Sequence, residues 1–87
     1  MITLLLVDDQ NLIRQGLKAL LELEADLQVV GEAENGQIAI ECVAKLQPNV
    51  VLMDIRMPIM DGVTATKEIC QQFPNVNILV LTTFDDD

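Results

Sequence analysis

"VVLMDIRMPIMDG", Val50 to Gly62, drives four apolar residues toward a core and ends them on a carboxylate, Asp54. A charge costs free energy where water is scarce unless it is paired or bound to a metal. Pro58 and the Asp61-Gly62 pair then turn the chain and start the next element. Residues 50–54 therefore predict a buried strand that holds Asp54 where the chain surfaces. What Asp54 is held against decides both fold and function.

The flanking segments alternate in period. "ITLLLVDD", residues 2–9, is a continuous apolar run ending in Asp8 and Asp9, as expected of a strand buried on both faces. From Gln10 to about Glu24, Ile13, Gly16, Leu17, Leu20 and Leu21 recur at helical spacing. Gly16 costs ~1 kcal/mol there relative to alanine, which predicts close packing against a strand. "LQVVGEAE", 27–34, is mixed and suits an edge strand. Asn35-Gly36 resembles a hairpin turn, but Ile38, Ala39, Cys42, Val43 and Leu46 follow at helical spacing, so Asn35 is assigned as a helix cap. Pro48 stops that helix. Val63, Thr66, Ile69, Cys70 and Phe73 predict a third helical face, stopped by Pro74, and "VNILVLTT" a fourth strand.

The result is β-α-β-α-β-α-β, the signature of an α/β, doubly wound parallel sheet. The mixed second strand belongs at an edge and the apolar first and third strands inside, which gives the order 2-1-3-4. Right-handed crossovers place the first helix on one face and the second and third on the other. The apolar fourth strand has no fifth strand to cover it, so the sheet reads as unfinished and residues 1–87 as the N-terminal part of a domain.

Composition narrows the chemistry. Fourteen acidic residues face five basic ones, a net charge of −9, which argues against this segment gripping nucleic acid. There is no histidine, which removes Ser-His-Asp and Cys-His catalysis and any phosphohistidine on this chain. Cys42 and Cys70 lack metal spacing and read as small packing residues in a reducing cytosol. No apolar stretch approaches the ~20 residues of a membrane span, and no signal peptide is evident. The expected location is cytoplasmic, with no membrane contact.

Ligands of open parallel sheets bind beyond the C-terminal strand ends, where strand order reverses. Here that point lies between the first and third strands, which end in Asp8-Asp9 and Asp54. Neighbouring strands are ~4.8 Å apart, so at least two of these carboxylates share a pocket. Such a cluster raises a pKa or demands a cation, and hard oxygen donors favour Mg²⁺. Thr82 ends the fourth strand, within reach of a group carried on Asp54, and a carboxylate is a competent nucleophile for phosphoryl groups.

At these spacings "LLLVDDQ", "VVLMDIRMPIMDG" and "ILVLTT" resemble the receiver domain of two-component response regulators, over all 87 residues. "LKALLELEADLQVVGEAENGQIAI" is most similar to the NarL/FixJ subfamily, whose receivers precede a LuxR-type helix-turn-helix domain. The resemblance implies the flavodoxin-like receiver fold, with the fifth strand and last two helices missing from residues 1–87. It implies Asp54 as phosphoacceptor, and Mg²⁺ held by Asp9 and Asp54, by Asp8 through water and by the backbone carbonyl of Arg56. Thr82 matches the switch hydroxyl, and Thr83 the small residue governing access to the acceptor.

The implied partners are a sensor histidine kinase and DNA, the latter bound by a C-terminal domain beyond residue 87. No enzyme activity is implied beyond Mg²⁺-dependent self-phosphorylation and dephosphorylation. The family's phosphoryl-pairing lysine has no counterpart, since the last lysine is Lys67. A second reading, from another class, is a structural half-domain that assembles as a homodimer or swap through its unfinished edge without signalling. A nucleotide-binding half-domain is weak, because no GxGxxG follows the first strand.

Overall fold

The computed structural model describes residues 1–54 and 62–81. β1 (Ile2–Val7), α1 (Asn11–Leu21), β2 (Leu27–Ala33), α2 (Gly36–Leu46), β3 (Val50–Asp54), α3 (Gly62–Gln72) and β4 (Asn77–Leu81) follow one another. All strands pair in parallel, in the order β2-β1-β3-β4. Both the alternation and the strand order match the sequence reading. α1 packs on β1 and β2, while α2 and α3 pack against each other and the opposite face.

Side-chain alternation divides the central strands between two layers. Leu5, Val7, Val51 and Met53 join Ala39 and Val43 of α2 and Ala65 and Ile69 of α3 in one core. Leu4, Leu6 and Leu52 are buried on the α1 side. Truncating a fully buried residue such as Leu5 costs ~2–5 kcal/mol.

The helix ends follow local chemistry. Asn35 caps α2 as expected, its Oδ1 accepting from the Ile38 N–H at 2.9 Å. Gln47 ends α2 in the left-handed region, with φ 47°, and the buried Pro48 follows. α1 ends at Leu21, three residues before the expected limit.

Several packing expectations are corrected. A Cβ on Gly16 would meet nothing within 4 Å, so close approach to a strand is not the reason for that glycine. Leu20 is exposed and no α1 residue is fully buried, because α1 lies across only two strands. On α3 the buried stripe is Gly62, Ala65 and Ile69, whereas Val63 and Cys70 face outward. Small residues there let α3 sit close to its neighbours. Cys70 is therefore not a packing residue, and Cys42 is half-buried.

β2 also carries an irregularity. Its register passes from Leu4↔Val29 to Leu5↔Gly31, so Val30 is an extra residue in that strand, a β-bulge. Gly31 sits at the step, where a Cβ would meet the Leu46 Cδ1 at 2.7 Å and the Leu5 Cδ1 at 3.2 Å.

Candidate functional site

The register of the two central strands builds the site. Val7 lies opposite Met53, so Asp8 and Asp54 are the next residues along neighbouring strands. Asp8, Asp9 and Asp54 each offer a carboxylate oxygen, and these atoms all lie within 4.8 Å of one another. Asp8 and Asp54 are buried, while Asp9 is exposed. The three acidic residues singled out from sequence thus converge at one strand-end pocket.

The backbone of Asp8 is held on both sides. Its N–H donates to the Ala33 carbonyl at 3.0 Å, and its carbonyl accepts from Arg14 Nη1 at 2.6 Å. Its side-chain Oδ1 accepts from the Gln10 N–H at 2.8 Å. Burial pushes the Asp8 carboxyl above its ordinary value of 3.8; the Gln10 N–H opposes that rise, and the charges of Asp54 and Asp9 add to it. The cluster gains by binding a cation or a proton.

An all-oxygen donor set, with no imidazole or thiolate, fits a hard divalent ion such as Mg²⁺. Asp8, Asp9 and Asp54 are the residues that would hold it. Arg56, Thr82 and Thr83 lie outside the described residues, as do Pro58 and Asp61. The last described residue of β4, Leu81, pairs with Asp54, one position before Thr82.

Sequence reasoning missed Arg14. Its Nε pairs with Glu32 Oε1 at 3.1 Å, and its Nη2 donates to Asn11 Oδ1 at 3.1 Å. The available signal was scarcity, since an acidic chain places one of five basic residues in the first turns of α1. A cleft of about 290 Å³ lined by Gln47, Pro48, Phe73 and Pro74 opens near the starts of β3 and β4. It lies at the opposite end of the sheet from the carboxylates.

Residues 4–87 match the family model described as the response regulator receiver domain. The chain belongs to that family. It is 49% identical over 86 residues to the transcriptional regulatory protein LnrK of Bacillus subtilis (strain 168), covering 99% of this chain and 39% of that protein. It is 46% identical over 87 residues to LiaR of the same organism, covering 100% of this chain and 41% of LiaR. A two-component response regulator of the LuxR family from Aurantimonas sp. SI85-9A1 superposes with a TM-score of 0.92. The two are 30% identical, over 98% of this chain and 61% of that one. The receiver domain described here is thus of the NarL/LuxR type, with the flavodoxin-like fold. It spans about two fifths of the length of these two relatives. No helix among its described residues is long and apolar enough to cross a membrane.

Proposed function

We propose that Asp54 of this receiver segment accepts a phosphoryl group from the phosphohistidine of a sensor kinase, with Mg²⁺ as cofactor. The observation that carries the reading is the meeting of Asp8, Asp9 and Asp54 within 4.8 Å at the ends of β1 and β3. A carboxylate oxygen of Asp54 attacks phosphorus and forms the acyl phosphate. The bond from phosphorus to the imidazole nitrogen breaks, and its electron pair returns to that nitrogen. Bound Mg²⁺ would neutralise charge on the oxygens of the transferring group.

Within the chain, β3 holds Asp54 on a rigid strand end beside Asp8, and the Gln10 N–H fixes the Asp8 carboxylate. In the family's pattern Asp9 ligates directly, Asp8 acts through water, and Arg56 lends its backbone carbonyl. Thr82 binds the phosphoryl group as the switch, and Thr83 governs access to it. The roughly −1.5 to −2 charge added to Asp54 then biases the Thr82 region between two arrangements. The whole regulator, cytoplasmic and DNA-binding through a C-terminal domain, reads that change. A homodimer through the β4 edge, where Leu79 and Val80 are exposed, belongs to the same proposal. The reading in which the chain only assembles is not favoured by a family match over residues 4–87.

Mass spectrometry with acetyl phosphate and MgCl₂ tests the acceptor. The wild-type chain should gain one phosphoryl mass and Asp54→Asn none. Equal gain by both would overturn the assignment.

A further inference from the structure

We propose that Arg14 is a positioning residue for the acidic pocket, clamped by Glu32 so that it fixes the peptide joining Asp8 to Asp9. The proposal rests on the reading of Asp8, Asp9 and Asp54 as a Mg²⁺ site. Its Nη1 reaches the Asp8 carbonyl at 2.6 Å, a short bond from a charged donor. That carbonyl belongs to the Asp8–Asp9 peptide, so holding it sets the direction in which Asp9 leaves the strand.

Arg14 is itself restrained. Its side chain is only 13% exposed, and its Nε pairs with Glu32. Glu32 also accepts from Gln15 Nε2 at 2.9 Å, and the Asn11 side chain accepts from Nη2. A planar fork anchored at each of its three nitrogens is a rigid strut, which lysine cannot reproduce. The strut ends on β2, where Ala33, next to Glu32, holds the Asp8 N–H from the other side. Two adjacent β2 residues therefore bracket the Asp8 backbone, Ala33 at its N–H and Glu32, through Arg14, at its carbonyl.

Charge and geometry make opposite predictions. A cation bonded to the Asp8 backbone disfavours a second cation nearby, so charge alone makes removal of Arg14 tighten metal binding. A positioning role makes the same removal weaken it, by about tenfold to a hundredfold, as outer supports of metal ligands do.

The test is a MgCl₂ titration of the 87-residue chain followed by backbone amide NMR shifts. Arg14→Gln, Arg14→Lys, Glu32→Gln and, as control, Asp9→Asn are compared with the wild type. The expected result is weaker binding by Arg14→Gln and Arg14→Lys, with the Asp9 amide shifted even before metal is added. Equal or tighter binding by Arg14→Gln would overturn the proposal. If Arg14→Gln does not fold, Arg14→Lys and Glu32→Gln decide in the same way, since both leave the site's ligands in place. Failure of the underlying reading looks different: the wild type and Asp9→Asn would then respond to MgCl₂ alike.

Discussion

The side-chain oxygen of Asn49 accepts two hydrogen bonds from Thr3, from its N–H at 2.8 Å and its hydroxyl at 3.0 Å. The exchange is reciprocal, because the Asn49 N–H donates to the Thr3 hydroxyl at 2.9 Å and the Thr3 carbonyl at 3.0 Å. The Asn49 carbonyl in turn accepts from the Asn77 N–H at 3.1 Å. One residue thus aligns the starts of β1, β3 and β4. Asn49→Ala should cost about 1–2 kcal/mol, the net worth of one or two neutral bonds. Urea unfolding checks this, and an unchanged midpoint would contradict it.

Gly16 gives the opposite sign. It sits mid-helix with open space where a Cβ would be, so alanine adds no clash and relieves backbone entropy. Gly16→Ala should stabilise the chain by about 0.5–1 kcal/mol. A lower melting temperature would contradict this.

Asp8 sets a pH dependence in metal-free solution. Its folded pKa lies above 3.8, chiefly through burial, with Asp54 and Asp9 adding to the rise. Between 3.8 and that raised value the folded state binds more protons at Asp8 than the unfolded state. The contribution of this group to stability therefore rises as pH falls through the raised value, and is complete below 3.8. Asp8→Asn, which removes the charge, should be more stable than the wild type at neutral pH without Mg²⁺. Its advantage should shrink on acidification. Urea midpoints across that range are the measurement, and a constant difference would refute the assignment.

The two thiols should separate kinetically. Cys70 is exposed, while burial raises the Cys42 thiol, with Glu41 adding to the rise and Lys45 opposing it. A chromogenic disulfide reagent at mildly alkaline pH should modify Cys70 first and Cys42 in a slower phase, because the thiolate is the reacting form. Single-phase labelling of both would contradict this.

The strand order was legible because burial on two faces leaves no polar residues, so "LLLV" and "VVLM" declare themselves central and "LQVVGEAE" declares itself an edge. The carboxylate cluster was legible for a related reason: parallel strands bring their C-terminal ends to one side. Helical phase was harder to read. Hydrophobic spacing favoured Val63 and Cys70, yet Gly62 and Ala65 are buried, because a small side chain marks close approach more than it marks hydrophobicity. Arg14 was invisible for a third reason. A charged residue on a helix reads as solvated, and only the tertiary fold returns it to a carbonyl six positions earlier.

The extra residue in β2 bears on which length changes the chain tolerates. Val30 has no partner on β1, whereas Glu32 and Ala33 stand opposite Leu6 and Val7. Loss of Val30 would leave those pairings intact and merely straighten the ladder. Loss of Glu32 itself would turn the side chains that follow to the opposite face and leave Arg14 without its carboxylate partner. In β2, then, one deletion is a silent shortening, and another, two positions further on, dismantles the bracket around Asp8.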